Sequence, residues 1–145
     1  MIRALARFLA LPPREQGRTV EAAVLLLVVR LLLGLVPFRW ALRLLRVSPG
    51  HASDGRRSTA EAAQVGRAIA RAARWVPFRA VCLQQAFAAM LMLRRRGLAA
   101  TVHLGVAREP PGTDLTAHAW SRCGDIPVTG EATAADFTAV VAFAA

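Results

Sequence analysis

Trp75-Val-Pro-Phe-Arg-Ala-Val-Cys82-Leu83-Gln84-Gln85, followed by an apolar run that closes with Arg94-Arg95-Arg96-Gly97, decides how the rest of the chain is read. Pro77 stops any helix arriving from upstream, and nothing from Cys82 to Leu93 breaks one, so a new helix is expected to begin near Val81 or Cys82. Three arginines meet the negative end of that helix's dipole, and Gly97 can take a left-handed cap. Between those ends the segment is apolar nearly all the way round, which marks a buried central helix. Cys82 then sits in the first turn, and helix N-termini favour thiolates. A buried small hydrophobe is the plainer reading of the same residue.

Upstream, Met1 to Leu11 reads as a short helix ended by Pro12-Pro13, with Arg3 and Arg7 one turn apart. Thr19 is a candidate cap for a helix from Val20 to about Leu35, with Glu21 in its first turn. Its apolar stretch includes Glu21 and Arg30, whereas a spanning helix wants about 20 mostly uncharged residues, so a buried or partner-facing helix is expected rather than membrane contact. Phe38 to Arg46 is amphipathic, with Trp40, Leu44 and Leu45 opposite Arg39, Arg43 and Arg46. Ser48 to Gly55 has loop composition and is the best internal boundary, dividing a helical region, 1–55, from a core, 56–145, within one folding unit. Ser58 or Thr59 caps a further helix reaching about Trp75.

After Gly97 the period changes. Ala100 to Ala107 alternates as a strand, a Pro- and Gly-rich loop runs from Arg108 to Asp114, and Thr116 to Cys123 is a second strand whose one face carries Thr116, His118, Trp120 and Arg122. Gly124-Asp125 signals a two-residue hairpin turn, Ile126 to Glu131 a third strand, and Val140 to Phe143 a fourth. Helices followed by a small antiparallel sheet make an α+β domain.

The chain has 145 residues, enough to bury a core without staples, and only two cysteines, Cys82 and Cys123, which suits a reducing, cytoplasmic location. The net charge of +10 rests on arginine alone, since lysine is absent. Those arginines are dispersed at helical spacings without interleaved aromatics, which argues against nucleic acid. No cofactor is expected. Metal is not expected either, because His103, Cys82, His118 and Cys123 lack the close ligand spacing of zinc sites.

With Gly124 and Asp125 as the loop residues, Cys123 pairs with Ile126 and His118 falls opposite Glu131, at the roughly 5 Å of directly opposed side chains. A carboxylate there could hold the imidazole as the third member of a catalytic triad does. Cys82, His118 and Glu131 are therefore the candidate nucleophile, base and orienter. Cys123 points to the other strand face and reads as core. Trp120 reads as core, as shelter for the histidine or as lining of a peptide cleft. Gln84 and Gln85 read as oxyanion donors or as a solvated helix face.

At these residues the chain resembles a family, the second-half B proteins of lasso peptide biosynthesis, which are leader peptidases with a transglutaminase-like, papain-related core. The resemblance is carried by Trp75-x-Pro77 before Cys82-Leu83, the helix ending Arg94-Arg95-Arg96-Gly97, the strand His103-Leu-Gly-Val106 and above all Ala117-His118-Ala119-Trp120. The leucine-rich front with Val36-Pro37-Phe38-Arg39 is also similar. It implies a cysteine peptidase with Cys82 as nucleophile and His118 as general base, a precursor peptide as substrate, a separately encoded leader-recognition protein as partner, and association with a macrocyclase. Members of that family often place an aspartate after the histidine strand; this chain offers Thr129-Gly130-Glu131, so the acid is Glu131, Asp125 in the turn, or absent, with Asp136 farther on. Acyl transfer through the same thioester, or a non-catalytic peptide-binding scaffold, are the alternatives.

Overall fold

A computed structural model describes residues 1–50, 55–108 and 115–144. Five α-helices precede most of the sheet: α1 Ile2–Leu9, α2 Pro13–Leu35, α3 Phe38–Leu44, α4 Thr59–Ala73 and α5 Cys82–Arg95. The strands are β1 Ser48–Pro49, β2 Thr101–Arg108, β3 Leu115–Cys123, β4 Ile126–Thr129 and β5 Thr138–Ala144, with a 3-10 helix, Glu131–Asp136, before the last. They form one antiparallel sheet in the order β1-β5-β2-β3-β4. The fold is α+β, as the change of period after Gly97 implies. The centre of the expected loop at 51–54, and the Pro- and Gly-rich stretch at 109–114, lie outside the described residues.

Local chemistry explains most boundaries. The Ser58 hydroxyl accepts from the Glu61 N–H at 3.2 Å, capping α4, and Ala62, Val65, Ala68, Ile69 and Ala72 then fall on one buried stripe. Gly97 stands at φ +67° and ends α5 in the left-handed conformation. Thr19, expected as a cap, is inside α2 instead: the helix starts at Pro13, and the Thr19 hydroxyl donates to the Glu15 carbonyl at 2.8 Å. Proline at the first helical position gives up no useful N–H, so Pro13 ends one segment and opens the next. The Gln16 amide donates to the Leu9 and Leu11 carbonyls, fixing that corner.

Helices α2, α4 and α5 pack together, and α5 lies on β3. One buried cluster joins Ala22, Leu26 and Val29 of α2, the α4 stripe, Ala86 to Leu93 of α5, and Val102, Ala119, Cys123 and Phe143 of the sheet. Phe87 is at its centre, 6.4 Å from Phe38 and 6.3 Å from Phe143 between ring centroids. Burying a ring of this size is worth about 1.5–3 kcal/mol. The arginines that close α5 also tie the helices together: the Arg96 guanidinium donates to both Glu21 oxygens, at 3.1 and 2.7 Å, and the Arg94 guanidinium donates to the Leu45 carbonyl at 2.5 Å. The hydrogen bond to Glu21 holds Arg96 above its ordinary pKa against the opposing effect of burial.

Only one side of α2 enters the core. Thr19, Ala22, Leu26 and Val29 are buried, whereas Val20, Val24, Leu27, Val28, Leu31 and Leu35 stay exposed along the opposite side. Among the described residues no helix is long and apolar enough to cross a membrane.

Candidate active site

Cys82 is the first residue of α5, with Val81 as its extended N-cap. Its thiol is half-buried, and the residue packs against the edge of the core cluster. The two glutamines that follow hold the chain leading into it. Gln84 Oε1 accepts from the Val81 N–H at 3.4 Å, and the Gln85 amide donates to the Ala80 carbonyl at 2.8 Å. Gln85 thus places one of its two amide N–H donors on the entry turn. The unpaired N–H groups of the first turn of α5 are the donors a developing oxyanion would meet beside Cys82.

His118 lies on β3. Ala119 and Cys123, which alternate with it, belong to the core under the helices, so His118, Trp120 and Arg122 occupy the sheet's other face. On that face the Trp120 ring is buried and stacked between His103, at 5.6 Å, and His118, at 5.9 Å; Phe137 covers His118 at 5.1 Å. Trp120 is therefore both buried and the histidine's shelter. Cys123 is fully buried, and both cysteines are free thiols. Among the described residues no His, Cys, Asp or Glu cluster could hold a metal ion.

The expected facing of His118 and Glu131 is not formed. The hairpin begins as anticipated, with Cys123 paired to Ile126 and Arg122 to Pro127, but the next pair is Ser121 with Thr129, leaving Val128 as an extra residue. Pro127 has no N–H to keep the ladder regular, and prolines in sheets sit at edges and bulges. Gly130 then turns into the left-handed region at φ +69° and ends the strand. Glu131 opens the 3-10 helix, and its carboxylate forms a two-point ion pair with the Arg122 guanidinium, raising that arginine's pKa through the hydrogen bond. Asp125 pairs with Arg57 at 3.3 Å in the turn. Neither carboxylate reaches the imidazole.

What the imidazole meets is the backbone. His118 Nε2 is 2.7 Å from the Gly130 carbonyl oxygen and 3.1 Å from Thr133 Oγ1. A carbonyl only accepts, so Nε2 carries a proton and, in the neutral ring, Nδ1 is the basic atom. A peptide oxygen thus stands against the imidazole where the sequence reading expected a carboxylate. Gly130 is required there twice over, by its positive φ and because a Cβ would stand 2.7 Å from the Ala119 oxygen and 3.0 Å from Nε2. Gly130, Thr133 and Phe137 escape sequence reasoning, for nothing before folding shows that the chain after β4 doubles back over His118.

The structure does not bring thiol and imidazole together. Cys82 belongs to the helix side and His118 to the other sheet face, and no hydrogen bond joins them among the described residues.

No curated protein and no solved structure matches this chain. The family model of the transglutaminase-like superfamily matches residues 23–142, a span that holds Cys82, the helix it opens, β1 to β4 with His118 among them, and β5 but for its last two residues. On that match, the chain belongs to the transglutaminase-like superfamily.

Proposed function

We propose that the protein is a cysteine peptidase that removes the leader from a ribosomally made lasso precursor. A transglutaminase-like domain suggests cysteine-protease or acyltransferase chemistry, and the observation that carries the peptidase reading is the half-buried thiol on the first turn of an otherwise buried helix. In this reading the Cys82 thiolate attacks the carbonyl at the leader and core junction, and the first-turn N–H groups receive the oxyanion. Because His118 stands on the other sheet face, the proton lost by the thiol and the proton gained by the leaving junction amine are exchanged with water in this reading, and a second water hydrolyses the thioester to a leader carboxylate and free thiol. A separately encoded leader-recognition protein docks on the exposed stripe of α2, since apolar patches of this kind mark interfaces. The macrocyclase then takes the released core peptide.

One observation favours a second reading, a non-catalytic peptide-binding subunit: His118 faces away from the helix that carries Cys82. Mass spectrometry of precursor incubated with the protein and its recognition partner separates the two. The peptidase reading expects a free leader carboxylate, lost in Cys82→Ala while the melting curve is unchanged. Cleavage retained by that variant refutes the role of the thiol, and a leader joined to an amine makes the reaction acyl transfer.

A further inference from the structure

A groove of about 670 Å³ opens between α1 and the end of α4, with neither Cys82 nor His118 in its lining. Leu5, Phe8 and Leu11 line one wall, and Trp75 meets Phe8 at 5.6 Å between centroids. None of the α1 residues is buried, so this apolar wall is open, and Trp75 is 40% exposed. Arginines stand along the groove. Arg71 is held by Glu15 at 3.1 Å, but Arg7 and Arg74 have no ion pair among the described residues, and no Asp or Glu lines the groove. Its volume is that of ordinary ligand sites, roughly 300–1,000 Å³.

We propose that this groove binds an acidic amphipathic peptide segment, with its apolar side chains on Phe8 and Trp75 and its carboxylates on Arg7 and Arg74. Two uncompensated guanidinium groups beside an apolar floor select a ligand that brings both carboxylates and hydrocarbon. The meeting of Phe8 and Trp75 across the groove and Arg7 and Arg74 beside it favour a peptide that brings both hydrocarbon and carboxylates. The α1 wall lies outside the residues that match the family, 23–142, and the Arg71, Arg74 and Trp75 wall lies within them. The proposal goes beyond the peptidase reading and does not depend on Cys82.

The test uses the full chain and a synthetic peptide with leucines three and four residues apart and glutamates elsewhere. Binding is followed by calorimetry and by tryptophan fluorescence. The same peptide with glutamines for glutamates, and phosphatidylglycerol vesicles, are the comparisons. The glutamate peptide is expected to bind saturably and more weakly as salt rises. Arg7→Glu and Arg74→Glu are each expected to weaken it roughly tenfold, and Trp75→Ala to abolish it. Both arginines are exposed, so melting curves of the charge variants should match the parent. Equal binding of the glutamine peptide, an absence of saturable peptide binding, or binding to vesicles alone would overturn the proposal.

Discussion

Replacing Gly130 by alanine tests the claim that a peptide oxygen, and not a carboxylate, holds His118. Gly97, Gly124 and Gly130 have nearly the same backbone conformation, φ +67°, +62° and +69°, so the left-handed cost of a side chain, about 1 kcal/mol, is common to all three. What differs is the space around the new methyl group. At Gly97 no heavy atom lies within 4 Å, and at Gly124 the group in the way is the flexible end of Arg57, which can swing aside. At Gly130 the methyl meets Ala119 O at 2.7 Å, His118 Nε2 at 3.0 Å and Trp120 Cβ at 3.1 Å, two of them fixed by the sheet. Overpacking of that kind adds about 1–3 kcal/mol. Gly97→Ala should therefore cost about 1 kcal/mol and Gly130→Ala about 2–4 kcal/mol, which for a chain of this length is roughly 4 °C against 8–16 °C in Tm. Thermal melts followed by circular dichroism give both values, and the ring nitrogen spectrum of His118 should show its Nε2 hydrogen bond intact in Gly97→Ala and lost in Gly130→Ala. A Gly130→Ala protein that melts no lower than Gly97→Ala, with its imidazole signals unmoved, would refute the placement of the Gly130 carbonyl.

Glu131→Gln removes a partly exposed ion pair with Arg122, so the loss of stability should be at most about 1 kcal/mol and the precursor cleavage rate should stay within about twofold; a rate drop of a hundredfold would return the carboxylate to the role of orienter. Neighbouring leucines on α2 should respond in opposite ways to a charge: Leu27→Glu, 46% exposed in the parent, leaves a folded protein whose stimulation by the recognition partner is weakened, whereas Leu26→Glu, fully buried, does not fold. Loss of folding in Leu27→Glu, seen by circular dichroism, would place the exposed stripe in the core.

The features that the sequence determined by itself are those whose physics is complete within a few residues. Pro77 forbids a helix and Gly97 ends one wherever they stand, so the limits of α5 were readable, and with them the position of Cys82 on its first turn. A cap at Ser58 or Thr59, the Gly124-Asp125 turn and the alternation that puts His118 and Trp120 on one strand face are equally local, and the structure chooses Ser58. Tertiary structure alone decided the rest. One extra residue in an edge strand, Val128 after Pro127, moves every later side chain, because a β ladder has a period of two, and it sends Glu131 to Arg122 instead of His118. The apolar length of α2 could not say which of its sides is covered, since that depends on where α4 and α5 come to rest. Strand alternation tells which residues share a face but not which face meets the helices, and that choice, made by the packing of α5 on Ala119 and Cys123, puts the imidazole beneath Phe137 and beside the carbonyl of Gly130.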